Sequence, residues 1–261
     1  MDPRSRSSLE SPTKLDRARV ASLAEGRWLL NLYPEAAEAG GCFQSAVASS
    51  PGGSWCDSDP ERSAIEAARR ARGQVRRYCA ANRLNRLGTL TYGPPFCRDP
   101  LVVREHVGSF FRKLRRRAGR RLPYLWVPEL HADGERYHVH FAAGRYVPRG
   151  WIVEAWPHGY PFIKLIGDVP TGSGALGEAR LAARYLAKYV GKALDGGPAG
   201  LHRYEVAQGF QPRAVRLVGR SAQDVLGQAS AIMGGEPERL WDSATEQDWA
   251  GPHAVWASWA R

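Results

Sequence analysis

Lysine is scarce in this chain: of 37 basic residues only Lys14, Lys113, Lys164, Lys188 and Lys192 are lysine. Where arginine is the default cation, each lysine marks a position suited to a compact ammonium rather than a planar fork. Cysteine is sparse as well. Cys42, Cys56, Cys79 and Cys97 form no C-x-x-C pair, and no secretory-type segment precedes them. That excludes a disulfide scaffold and a paired-thiol metal or redox motif, and it predicts reduced thiols in a cytoplasm, that of a bacterial host cell. Long apolar runs are missing. A stretch such as Trp28 to Leu32 is far too short to span a bilayer, so no membrane partner is expected. No G-x-x-x-x-G-K-[ST] occurs, so any unwinding of nucleic acid has to come from another protein. Gly172, Gly174 and Gly177 mimic a dinucleotide fingerprint. No strand leads directly into them, and they read as a connector.

What the chain does have is positive charge. The net value is +11 over 261 residues, which points to a polyanionic partner, nucleic acid foremost. That length accommodates one catalytic-size core. Residues 1–60, with Ser/Gly/Pro-rich stretches, read as a flexible N-terminal region. Residues 61–86 carry eight arginines in a helical composition, suited to a phosphate backbone or to a solvated helix face. Residues 87–205 hold the most regular pattern of the chain and read as one domain. Residues 206–261 hold Trp241, Trp249, Trp256 and Trp259, suited to burial against a core or to partner docking.

Within 87–205, LGTLTY at Leu87–Tyr92 alternates as a strand does. Asp99-Pro100 then supplies an N-cap and a proline at the first helical position. Val103, Val107, Phe110, Phe111 and Leu114 make an apolar stripe, and Gly119 a stop. The end of this helix bears Arg112, Lys113, Arg115, Arg116, Arg117, Arg120 and Arg121, a candidate phosphate-contacting segment or a solvated face. Tyr124–Leu130 and Arg136–Phe141 read as a hairpin, Tyr160–Ile166 as a strand, and Glu178–Leu194 as a helix. The order strand, helix, hairpin, strand, helix indicates an α+β domain.

Side chains alternate along a strand, so His138 and His140 project on one face about 6.5 Å apart. A four-residue loop, Ala132–Glu135, closed by His131 and Arg136 sets Glu129 opposite His138. Pro128 supports this register, because it then faces Val139 at a position that donates no hydrogen bond. A two-residue turn at Asp133-Gly134 would put the proline in a donor position. Two imidazoles and a carboxylate leave room for water and a phosphate oxygen, so His138, His140 and Glu129 are candidate ligands of a divalent metal ion. Oxygen donors from a substrate favour Mg or Mn, and zinc is the alternative.

On a helical wheel with Leu181 at zero, Lys188, Lys192, Tyr185 and Tyr189 fall at about 340°, 20°, 40° and 80°, beside the apolar face of Ala182, Leu186 and Val190. A phenol of pKa near 10 is ionised about once in a thousand at pH 7, a deficit of roughly 4 kcal/mol, so a nucleophilic tyrosine needs cations nearby. Tyr185 is the better nucleophile candidate. Tyr189, nearer the apolar face, has the stronger claim to packing. Tyr/Lys pairs at this spacing are also ordinary on helix margins.

Three segments in this order, Leu87–Tyr92, Tyr137–Phe141 (YHVHF) and Tyr185–Lys192 (YLAKYVGK), resemble the HUH endonuclease superfamily. The Tyr-x-x-Lys repeat at Tyr185/Lys188 and Tyr189/Lys192 is similar to the double-tyrosine helix of rolling-circle replication initiators of small single-stranded DNA phages. Leu125–Glu129 (LWVPE) resembles the strand that precedes the histidines in phage and plasmid replication proteins. The resemblance implies a central antiparallel sheet with an RRM-like core, flanked by helices, and a metal on His138, His140 and Glu129. It further implies a tyrosine that nicks single-stranded DNA at a replication origin, forms a 5′-phosphotyrosine and rejoins the strand, aided by host helicase and polymerase. A relaxase or transposase of the same superfamily would use the same groups. A non-catalytic single-strand-binding module, or a zinc hydrolase, would use fewer of them.

Overall fold

The computed structural model of the protein describes residues 26–45, 60–119, 121–165, 174–192, 202–249 and 251–260. In chain order the elements are β1 (Gly26–Tyr33), β2 (Glu38–Ser45), α1 (Pro60–Ala81), β3 (Arg86–Tyr92), α2 (Pro100–Ala118), β4 (Tyr124–Leu130), β5 (Tyr137–Ala143), α3 (Arg149–Ala155) and β6 (Gly159–Leu165). They continue with α4 (Gly174–Lys192), β7 (Glu205–Val206), β8 (Val215–Gly219), α5 (Ala222–Met233), β9 (Arg239–Asp242) and β10 (Ala254–Ser258). Among the described residues, five α-helices and two antiparallel five-stranded sheets, ordered β8-β1-β2-β10-β9 and β6-β3-β5-β4-β7, make an α+β fold.

The described residues fall into two compact units. One is drawn from the stretches Met1–Asn31, Ala39–Ser54 and Arg216–Ala257, the other from Leu32–Glu38, Trp55–Val215 and Ser258–Arg261. The first unit is built mostly on strands that the hydrophobic pattern did not bring out. Gly41 lies where a Cβ would meet the Leu29 carbonyl oxygen at 1.9 Å, so these strands approach through glycine and lack a clean alternation.

The second unit is built on the sheet β6-β3-β5-β4-β7, and each of its faces has a separate core. On one face α2 lays Val103, Val107, Phe110, Phe111 and Leu114 against Leu90, Tyr92, Trp126, Val139 and Phe141, with Ile152 and Trp156 from and just after α3. Burial of each large side chain is worth about 1.5–3 kcal/mol relative to exposure. On the other face Val75, Cys79, Ala182, Leu186 and Val190 of α1 and α4 cover Leu125, Val127 and Ala142. Gly88 of β3 is required by a close approach, since a Cβ there would stand 2.1 Å from the Phe141 ring and 2.8 Å from the Phe162 carbonyl oxygen.

The register aligns side chains on the α1/α4 face in rows. Glu129, His138, Thr91 and Tyr160 form one row across β4, β5, β3 and β6. Val127, His140, Thr89 and Phe162 form the next, and Leu125, Ala142, Leu87 and Lys164 the third.

Helix α2 has the ends expected of it. The Asp99 carboxylate accepts from the Leu101 and Val102 N–H groups at 2.7 and 3.4 Å, and Gly119 closes the helix in the left-handed region at φ 58°. Other bounds differ from expectation. The basic helix ends at Ala81, Arg83 takes a φ of 52°, and Arg86 opens β3. Of its arginines, Arg76 and Arg77 pair with the buried carboxylate of Glu38 at 2.6 and 3.4 Å. That is an internal role rather than a contact with phosphate. Helix α4 begins at Gly174, four residues before the expected start, because Leu176 is buried and anchors an extra turn. Gly177 is therefore helical rather than part of a connector, and Gly174 stands at the helix start in the left-handed region at φ 55°. Gly172 lies outside the described residues. Cys42, Cys79 and Cys97 are free thiols, and Cys56 lies outside the described residues. Among the described residues no helix is long and apolar enough to cross a membrane.

Candidate metal centre

The β4–β5 turn is closed as the loop length predicts. The His131 N–H donates to the Arg136 carbonyl at 2.8 Å, while the Asp133 carboxylate accepts from the Glu135 and Arg136 N–H groups at 3.0 and 3.1 Å. Those two N–H groups and the Arg136 guanidinium hold the Asp133 carboxyl well below the usual range. Gly134 supplies the left-handed residue at φ 72°. From this closure Glu129 pairs with His138 and Pro128 with Val139. The proline thus falls at a non-hydrogen-bonded position of the alternation.

Three donor atoms converge on the α1/α4 face. His138 Nε2 and His140 Nε2 are each 2.7 Å from Glu129 Oε2 and 2.9 Å from one another. Their side chains are 15%, 7% and 16% exposed for His138, His140 and Glu129, so bulk water reaches them poorly. Two neutral imidazoles cannot both point lone pairs and N–H groups at each other and at one carboxylate oxygen without a mismatch. A cation satisfies all three lone pairs at once, so the donor set fits a divalent ion. The three donors come from two adjacent strands, β4 and β5.

Thr89 supports one of the three candidate ligands. Its Oγ1 lies 3.2 Å from His140 Nδ1. With Nε2 given to a metal, Nδ1 carries the proton and donates to the hydroxyl, which fixes the tautomer and the ring plane. Thr89 escaped the sequence reading because β3 is not a hairpin neighbour of β5, and its register against β5 has no local signal. The His131 ring, 4.6 Å from that of His138, was likewise not anticipated.

Helix α4 brings both tyrosines to the same place. The Tyr189 ring stacks on His140 with centroids 4.0 Å apart and 19° between planes, and the Tyr185 ring stands edge-on to His140 at 5.8 Å. The Tyr189 hydroxyl donates to the Tyr185 hydroxyl at 2.9 Å. Burial first, then the hydrogen bond to Tyr185 and the charge of Glu129, push the Tyr189 phenol well above its usual value. Tyr189 therefore stays protonated and serves as the donor to the Tyr185 hydroxyl.

The described basic candidates of α2 are not gathered here. Lys188 is exposed on α4, and the Lys192 side chain lies outside the described residues. Arg112, Lys113, Arg115, Arg116 and Arg117 are exposed on α2, whose apolar stripe covers the opposite face of the sheet. The sheet itself therefore separates these cations from the three donors. Arg117 pairs with Glu154 and lies over the Trp151 ring at 5.1 Å. Arg121 donates to the Gly209 carbonyl at 2.6 Å, and Arg120 lies outside the described residues.

Residues 85–194 match a family of replication-associated proteins, that of the ORF2 type. The matched span holds Glu129, His138, His140, Tyr185 and Tyr189, and every strand of their sheet except β7. No curated protein and no solved structure matches the chain.

Proposed function

We propose that the protein is a metal-dependent endonuclease that nicks and rejoins one DNA strand at a replication origin, initiating rolling-circle replication. The observation that carries this reading is the convergence of Glu129, His138 and His140 beside the stacked Tyr189 and the hydrogen-bonded Tyr185. The replication-associated family matched by residues 85–194 and the net charge of +11 support DNA as the substrate.

A magnesium or manganese ion held by His138, His140 and Glu129 supplies the charge that polarises a scissile phosphate. Tyr185 is assigned as the nucleophile. Its oxygen forms a bond to phosphorus as the bond from phosphorus to the 3′ oxygen breaks. The phenol proton goes to solvent, and the leaving 3′ oxygen takes one up. The products are a 5′-phosphotyrosine and a free 3′-hydroxyl. Tyr189, as donor, stabilises the Tyr185 oxyanion and is assigned a second cleavage at most. Lys188 and Lys192, one turn on from each tyrosine, are assigned to the phosphate charge. A host polymerase extends the 3′-hydroxyl, and a host helicase supplies the unwinding this chain has no P-loop to perform. Attack by a later 3′-hydroxyl on the phosphotyrosine restores the phenol and closes the strand.

Labelled single-stranded origin DNA incubated with the protein and manganese tests the reading. A covalent adduct that survives denaturing electrophoresis is expected, and His138→Ala with His140→Ala, or added chelator, reduces it to background. Cleavage that persists under both treatments contradicts the metal assignment.

A further inference from the structure

The α1/α4 face of the second unit's sheet continues beyond the metal ligands onto β6. There two large aromatics stand open: Tyr160 is 74% and Phe162 62% exposed. Each occupies the same row as a histidine, Tyr160 with His138 through Thr91 and Phe162 with His140 through Thr89. Two strand spacings separate ring-bearing and ligand-bearing positions, about 9.6 Å between backbones. Lys164, another of the five lysines, is exposed on the same face one row on.

Rings exposed to this degree forgo most of the about 1.5–3 kcal/mol each that burial would provide, which leaves their faces open to a ligand. On the opposite face of β6, Ile163 packs against the core that holds Leu90 and Phe141. Strand addition by a protein partner is poorly served here. Pro161, at the middle of β6, has no N–H to offer at this edge of the sheet. The rings stand off the face rather than along the edge.

We propose that Tyr160 and Phe162 form a base-stacking platform for single-stranded DNA, with Lys164 on its phosphates, which positions the strand beside the metal centre. Alternate residues of a strand lie about 6.6 Å apart, wide enough for one unpaired base on each ring. The positive chain favours a polyanion over an apolar or cationic partner. Stacking is tolerant of base identity, so the platform contributes affinity and placement rather than sequence recognition. The platform rests on the nicking reading for its location but not for its measurement.

Binding of a fluorescent oligo-dT to the full chain, followed by anisotropy with chelator present so that no strand is cut, isolates the platform. Phe162→Ala and Tyr160→Ala are each expected to weaken binding about 5- to 150-fold, the equivalent of about 1–3 kcal/mol per stacked base. Phe162→Tyr and Tyr160→Phe restore it. Lys164→Ala lowers the magnitude of the salt slope by about 1, whereas the aromatic variants leave it unchanged. Val153→Ala, an exposed apolar change on α3, binds as wild type does. The platform is overturned if both alanine variants bind within twofold of wild type while remaining folded. It is also overturned if duplex DNA loses affinity as much as the single strand. A wild-type protein that forms no adduct yet shows these losses would refute the nicking reading and leave the platform standing. Alanine variants with wild-type binding and adduct formation do the reverse.

Discussion

Replacing Thr89 by valine removes one hydrogen bond from the metal centre and almost nothing else. Valine keeps the β-branched shape that suits a strand, and Thr89 is only half-buried. What disappears is the acceptor 3.2 Å from His140 Nδ1. His140 is 7% exposed, so water substitutes poorly for the lost oxygen. A neutral hydrogen bond contributes about 1 kcal/mol, and loss of an outer partner of a metal-bound histidine typically costs about 10–100-fold in metal affinity. Thr89→Val should therefore bind manganese about 10–100-fold more weakly. Thr89→Ser, which keeps the hydroxyl, should stay near wild type. Titration of free manganese followed by electron paramagnetic resonance reads this directly, with urea unfolding of the metal-free protein as a control that shifts by no more than the about 1 kcal/mol of the lost hydrogen bond. Equal manganese affinity in wild type and Thr89→Val would refute the idea that this hydroxyl orients His140, as would an equal loss in the serine variant.

Two further predictions concern the frame around the site. Gly88→Ala places a Cβ 2.1 Å from the Phe141 ring and 2.8 Å from the Phe162 carbonyl oxygen, so it should destabilise by about 1–3 kcal/mol. An unchanged urea midpoint would contradict that close approach. His106 and His158 stack at 3.6 Å. Burial above all pushes both below their usual values, with Glu105 opposing this for His106 and the charges of His106 and Lys113 adding to it for His158. Their neutral forms are the folded ones. The stability tied to them is present above the unfolded value of about 6.5 and is lost as pH falls through it toward the folded values. Wild type should then lose more stability between about pH 8 and 5.5 than His106→Gln does in parallel urea titrations, and identical losses would contradict the assignment.

What local sequence can carry explains which parts of this molecule were readable. The Glu129/His138 register follows from one turn and one proline, because a hairpin's pairing is set by residues a few positions apart. Asp99, Pro100 and Gly119 marked α2 for the same reason. The β3–β5 and β3–β6 pairings join strands separated by helices and a hairpin, and no local feature sets their offset. Thr89 beside His140, and the alignment of Tyr160 and Phe162 with the histidines, were therefore invisible. The first unit was harder still, since β1 and β2 pair with strands nearly the whole chain away. The arginines of α2 were visible as a cluster. Which side of the sheet they occupy depended on its apolar stripe finding Leu90 and Phe141 rather than Val127 and Ala142. The wheel put Tyr189 nearest the apolar side, and its ring does pack, both on His140 and against the core of Val127, Leu186 and Val190.

Catalysis as proposed turns on a phosphotyrosine formed on α4. Protease digestion of the covalent adduct formed in manganese, followed by mass spectrometry of the nucleotide-bearing peptide, tests that most directly. The nucleotide is predicted on Tyr185, with Tyr185→Phe abolishing the first adduct and Tyr189→Phe slowing it. A nucleotide carried by a residue outside α4, or an adduct undiminished when Tyr185 and Tyr189 are both phenylalanine, would contradict the central claim.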